Sequence, residues 1–356
     1  MAHLSELAKT ADELCVLHRC KEAVAFWEEA SSVTPDDANF HYHLAVCYSR
    51  DCHAQGLQDP LVAIYHYRRA LALMPKENVL ARATLLGDLG NTYLLAAPPS
   101  KVSLFTSIDC FQQAAEIYRE SGRLDDWARE QHNLGNTWCE MPETEFPSKW
   151  EKAIGHFEQA LAIRTRQKHP EHHAATLQNL GTAYRELKTG NRAGNIRRAL
   201  HCYCETMRVL RASVASRRWA ALHHDLGNAY LTLAFTGESR SRNTRRAIRH
   251  LNRALTVRTK IQSRFDYAAT QLSRGEVFLQ KAIADVGDPC SLNQARACFQ
   301  EAEDSFTQAG RMDLAEAARE RRERVGVGAG EGLAAVAQSD SSHSPSQRLE
   351  EELRLH

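Results

Sequence analysis

A chain of 356 residues with a net charge of +1 exerts no global pull on nucleic acid or on an anionic membrane. Its ten cysteines form no paired zinc-finger or zinc-ribbon spacing and fall mostly in helical stretches, which suits reduced thiols in a cytoplasmic protein. Residues 1–13 carry acids and no long apolar core, so no signal peptide is expected, and no apolar run is long enough to span a bilayer.

In chain order, residues 5–34 read as a first helix pair in which Leu7, Ala11 and Leu14 face Val24, Trp27 and Ala30. Thr34-Pro35-Asp36-Asp37 stops that pair and starts a new helix, because proline cannot continue a helix and acids suit an N-terminus. From there one word keeps returning: Leu89-Gly90-Asn91-Thr92-Tyr93, Leu134-Gly135-Asn136-Thr137-Trp138, Leu180-Gly181-Thr182-Ala183-Tyr184 and Leu226-Gly227-Asn228-Ala229-Tyr230, with looser copies around Ala45 and Gly275. The small residues at its centre are 45, 45, 46, 46 and 48 residues apart. A fixed period in that range marks a solenoid, in which each unit buries its apolar face against its neighbours.

A second word interleaves with the first. Ala63 to Leu71 recurs as Ala153 to Leu161 and Ala247 to Leu255, with looser copies from Ala23, Ser107, Ala199 and Ala295. Small residues seven apart, with an aromatic or leucine four after the first, stack on one helical face. Each unit is therefore a helix A carrying the glycine and a helix B carrying the alanines. Pro-, Gly-, Ser- and Asp-rich stretches at 51–60, 96–103, 141–148, 189–194, 236–243 and 285–291 read as loops from A to B. The B-to-A connections Leu161 to Gln178 and Leu255 to Gln271 read as extensions of the helices. Met312 to Val325 reads as an amphipathic capping helix, and 326–356 as a disordered tail.

The pattern resembles the tetratricopeptide repeat family, on Ala23, Ala30 and Pro35 in the first unit and on Ala45, Tyr48, Ala63, Tyr67, Ala70 and Pro75 in the second. The resemblance covers roughly 5–325, with a period longer than the family's basic one of about 34 residues. In length it is similar to bacterial repeat regions that precede a caspase-like CHAT protease domain. Its Leu-Gly-Asn-Thr-Tyr wording is similar to the peptide-binding repeats of kinesin light chain and of Pins-type adaptors. The resemblance implies an all-α, right-handed α-solenoid of about seven helix-turn-helix repeats over 1–325, cap included.

In the family's register helix A lines a concave surface. That would place Asn91, Asn136 and Asn228 in a groove, with Asn133 and Asn179 one turn earlier and Arg129, His132, Gln178, Arg185 and His224 nearby. Side-chain amides offer both donors and an acceptor, so a row of them can hold a peptide backbone of any sequence. The same asparagines could instead tie adjacent helices together.

Charge is distributed unevenly. Residues 185–264 hold 18 Lys or Arg against four Asp or Glu, which makes this stretch a candidate anion-binding surface. Arg245, Arg249 and Arg253 form one stripe on a helix B, with Arg246 beside it and Arg197 and Arg198 in the unit before. The partners such a surface suits are solvent alone, an acidic protein, or nucleic acid. No aromatic residues interleave as a single-strand stacking platform would need. Acidic first units and basic later ones also allow self-association.

His41 with His43, His169 with His172 and His173, and His223 with His224 lack third and fourth ligands at matched spacing, so no metal site is expected. Cys110 and Cys298, each before a phenylalanine, read as packing residues. With no Gly-rich phosphate loop and no nucleophile elbow, no catalytic residue and no cofactor is expected. The reading is a non-enzymatic scaffold or adaptor that binds a partner's peptide or helix, with a nucleic-acid-binding subunit using 185–264 as the alternative.

Overall fold

The computed structural model describes residues 2–16, 19–49, 59–96, 100–210, 216–237, 239–285 and 288–327. Most of the loop expected at 51–60, and the tail expected over 326–356 from 328 onward, lie outside the described residues, while 326 and 327 continue the last helix. Among the described residues the chain is fifteen helices with no strand, an all-α solenoid built from two compact units, Met1–Arg164 and Thr165–His356.

The first unit holds four helix pairs: α1 (Ala2–Val16) with α2 (Cys20–Val33), α3 (Ala38–Ser49) with α4 (Pro60–Leu73), α5 (Val79–Leu95) with α6 (Lys101–Glu120), and α7 (Leu124–Glu140) with α8 (Lys149–Ile163). The second unit holds three pairs and a cap: α9 (Pro170–Glu186) with α10 (Arg192–Val209), α11 (Arg217–Phe235) with α12 (Arg240–Leu255), α13 (Arg264–Ala284) with α14 (Pro289–Gln308), then α15 (Met312–Val327). Within each unit a B helix packs on the following A helix, and successive A helices also touch, as α3 does α5 and α9 does α11.

The two recurring words are the two halves of one contact. The paired small residues of helix B are fully buried in all seven copies, from Ala23 and Ala30 to Ala295 and Ala302. Where serine or threonine replaces alanine the buried hydroxyl finds a carbonyl: Ser107 donates to Gly90 O at 2.9 Å, and Thr206 to Cys202 O at 3.0 Å, as a buried donor must. The large residue four after the first small one is Trp27, Tyr67, Phe111, Phe157, Tyr203, Leu251 or Phe299, each at most 2% exposed. It occupies the space a side chain would need on the helix A glycine. A Cβ built on Gly135 would stand 2.5 Å from Phe157 Cε1, and Gly90, Gly181, Gly227 and Gly275 meet the same obstruction.

Helix starts follow local chemistry. Asp59 accepts from the backbone N–H groups of Leu61 and Val62 at 3.0 and 3.1 Å, and Asp288 from those of Cys290 and Ser291; Pro60, Pro170 and Pro289 occupy first-turn positions that need no donor. The B-to-A connections differ from expectation. Helix α8 ends at Ile163, with Arg164 as a buried C-cap, and α9 begins only at Pro170. Helix α12 ends at Leu255, where the Thr256 hydroxyl donates to Arg253 O at 2.7 Å, and α13 begins at Arg264. In the first case proline must sit in a first turn, and in the second a threonine competes for the last carbonyls. The cap is as expected: Leu314, Ala315, Ala318 and Val325 are buried in one core with Phe299, Ala302 and Phe306 of α14.

Candidate functional site

In the first unit a groove of ≈ 490 Å³ opens across the A helices α3, α5 and α7. Its walls carry Tyr42, Val46 and Ser49 from α3, Leu80, Thr84, Asp88 and Asn91 from α5, and Asp126 and Arg129 from α7, with Tyr67, Tyr118 and Arg123 reaching in. The hydroxyls are fixed. Tyr42 donates to Asp88 Oδ2 at 3.4 Å, Ser49 lies 3.2 Å from the Tyr67 hydroxyl, and Thr84 lies 3.1 Å from that of Tyr118. Asn91 is exposed.

One end of the groove is a ladder of charges. Asp126 is bridged by Arg123 at 2.6 Å and by Arg129 at 2.7 Å. Arg129 also donates to Glu130 Oε1 at 2.9 Å and to the Tyr118 hydroxyl at 3.2 Å, its guanidinium 5.5 Å from the centre of that ring. Glu130 is fully buried and lies over Gly87, where a Cβ would come 3.1 Å from its Oε1. Burial pushes its carboxyl up from the ordinary value, while Arg129 and Asn133 pull it down; Asn133 donates to its Oε2 at 3.1 Å. Burial opposes the Arg129 charge too, yet Glu130 raises that group's pKa overall. The floor is thus charged, paired and rigid, and the two acids and two arginines on the wall balance.

The predicted groove residues separate into three sets. Asn91 and Arg129 line the groove. His132, Asn133 and Asn136 follow on α7, and Gln178 and Asn179 sit on α9, all half-buried; His132 packs 5.8 Å from the Phe157 ring, and Gln178 donates to Asp225 at 2.9 Å. Arg185, His224 and Asn228, expected on an accessible wall, are instead only 4, 8 and 1% exposed. In the second unit His224 sits 3.0 Å from Asn228 Nδ2 and 3.2 Å from Thr270 Oγ1, which accepts from Arg258 at 3.0 Å. Arg185 pairs with Glu186 at 3.0 Å. Burial, then Arg258 and Arg185, push the His224 pKa well below its ordinary value. Between the helices, Gln178 of α9 reaches Asp225 of α11, and His224 of α11 reaches Thr270 of α13.

Tyr42, Tyr118, Asp88, Asp126 and Glu130 were not singled out in the sequence, and Tyr67 only as a residue of the repeat. The rings of Tyr67 and Tyr118 are buried in the core and their hydroxyls reach the groove. Asp88, two residues before Gly90, was the available signal. Elsewhere, Arg197, Arg198, Arg245, Arg249 and Arg253 are exposed, and Arg246 lies 5.4 Å over the Tyr230 ring. The histidines pair across hairpins: His41 Nδ1 is 3.0 Å from that of His66, and His223 Nδ1 is 2.8 Å from that of His250. Among the described residues no group of three or more His, Cys, Asp or Glu side chains is placed to hold a metal. Cys110 and Cys298 are buried, which pushes both thiols up to about 11. Among the described residues no helix is long and apolar enough to cross a membrane.

No family model matches the sequence, and no curated protein matches it. Solved structures do. The apo form of RapI is 16% identical, covering 81% of this chain and 97% of its own, with a TM-score of 0.51. BtubC (BKLC) from P. vanneervenii is 18% identical over 70% of this chain and 89% of its own, at 0.51. The C-terminal part of a TPR repeat-containing protein from Cytophaga hutchinsonii is 15% identical over 83% and 93%, at 0.50. At these identities the likeness is one of fold, and the fold is that of tetratricopeptide repeats.

Proposed function

We propose that the chain is a non-enzymatic protein-interaction scaffold whose first unit receives a peptide or helical segment of a partner in the groove formed by α3, α5 and α7. The observation that carries this reading is the groove itself: ≈ 490 Å³, open, lined by three successive A helices, with polar groups held in place by one another. Because those groups are ordered before a partner arrives, little of the protein's own entropy is lost on binding. The balanced charge of the wall makes main-chain recognition, supplemented by single ion pairs, the main contribution.

The test is capture of a partner by wild type and by Asn91→Trp/Leu80→Glu. Both sites line the groove, and both side chains are exposed, so the changes fill the groove without disturbing the core. Gln112→Trp, exposed on α6, is the control. A partner retained by the control and lost by the double variant supports the reading; one retained equally by all three contradicts it.

A further inference from the structure

Several arginines in this fold are paired with carboxylates: Arg69 lies 3.0 Å from Asp36, Arg119 is bridged to Glu116, Arg208 to Glu205, and Arg321 lies 2.8 Å from Glu276. Helix α12 concentrates arginines that are not. It contains no acidic residue in Arg240–Leu255, and among the described residues no carboxylate comes within 4.0 Å of Arg242, Arg245, Arg249 or Arg253. All four are exposed. At 100° per residue they fall on one narrow stripe, opposite the fully buried Ala247, Leu251 and Ala254. The stripe is about 16 Å long, with steps of about 5–6 Å.

We propose that this solvent face of α12 docks an acidic helical segment of a partner protein. This face belongs to the second unit and the groove to the first. Carboxylates three and four residues apart on a helix repeat with the same rise as these guanidinium groups, so the two faces match in register as well as in sign. Arginine, used here to the exclusion of lysine, presents a planar fork suited to bidentate capture of a carboxylate. A nucleic acid strand fits less well. The next B helix of the unit, α14, exposes Asp304, so a longer polyanion crossing toward α14 meets a carboxylate beyond the stripe. Nor does α12 carry a Phe, Tyr or Trp for a base to stack on; its His250 ring packs on His223 and Tyr230, and the ring beneath Arg246 is already covered.

The probe is a fluorescein-labelled Ala/Glu helical peptide of about four turns, with glutamates three and four apart, titrated with the full chain and followed by anisotropy. A duplex DNA of matched length is titrated in parallel. We expect saturable peptide binding that weakens with salt, tighter than that of the duplex, and lost by about tenfold or more in Arg245→Glu/Arg249→Glu. Arg242→Gln/Arg253→Gln, which removes charge without reversing it, is expected to lose less, and Arg119→Gln in the other unit nothing. Circular dichroism melts confirm that each variant folds. Absence of saturable peptide binding, tighter binding of the duplex, or equal loss in Arg119→Gln overturns the proposal.

Discussion

At the scale of single residues, the glycine of helix A is set by what helix B puts against it. Gly135→Ala forces a Cβ into a space 2.5 Å from a fully buried Phe157, and neither the ring nor the backbone can yield without disturbing the packing of the hairpin. The expected loss is about 1–3 kcal/mol, read as a lower midpoint in thermal or urea unfolding. Gly155 on α8 is the contrast, since a Cβ there meets nothing within 4 Å. Gly155→Ala should instead stabilise by roughly 0.5–1 kcal/mol, because an interior helical glycine costs backbone entropy. Equal effects of the two changes would contradict the account. This contact was legible in the sequence: a small residue on one helix and a large one on its partner repeat in step. The groove tyrosines were not, because a ring that packs in the core and a hydroxyl that points out of it leave the same periodicity. Asn228 was misplaced for a related reason. Its neighbours in sequence match those of Asn91, but its surroundings are supplied by Thr270 and His224, and no local pattern reports that crowding.

At the scale of the helix pair, the residue three after the first small position of helix B alternates along the chain: His66, Cys110, His156, Cys202, His250, Cys298. In three pairs the histidine meets a polar partner on helix A, His41, Gln131 or His223, at 2.7–3.0 Å. The corresponding residue of α9 is Leu177, opposite Cys202, and both are buried. The two solutions predict different responses to acid. Burial lowers His223 to about 4, with Arg253 adding to the shift, and lowers His250 to about 3, with His223, Arg253, Arg249 and Arg246 adding. Trp219 and Tyr230 pack on the two rings. A histidine whose pKa is depressed by folding stays neutral while its unfolded counterpart, near the ordinary value of about 6.5, takes up a proton. Stability from this pair is therefore complete above about pH 6.5 and lost as the pH falls toward about 4 and then about 3. His223→Leu/His250→Cys, which installs the apolar pair of the preceding hairpin, should flatten the dependence of the unfolding midpoint on pH in that window. An unchanged slope would show that the pair does not titrate as described. Helix identity and order were readable from the repeat, and helix ends only where a cap or a proline declared them. The stretches after α8 and α12 looked helical by composition, yet a buried arginine cap and a threonine hydroxyl end those helices early.

At the scale of the molecule, the chain repeats one hairpin with two outcomes. In the first unit the A helices leave an open polar groove, and in the second several equivalent positions are buried, with His224 of α11 against Thr270 of α13. The period and the basic block were visible in sequence, since both follow from residue identity and spacing alone. Which A-helix positions stay exposed was not, because it depends on the side chains that neighbouring helices bring against them. Partner binding at the open face of the first unit can be read with a photo-reactive amino acid placed at residue 91 in the groove or at residue 112 on α6. After irradiation in cells, mass spectrometry identifies what each position has captured. The account predicts a discrete protein cross-linked from position 91, suppressed by Leu80→Glu on the same wall and absent from position 112. The same cross-links from both positions, or a position 91 product indifferent to Leu80→Glu, would contradict it.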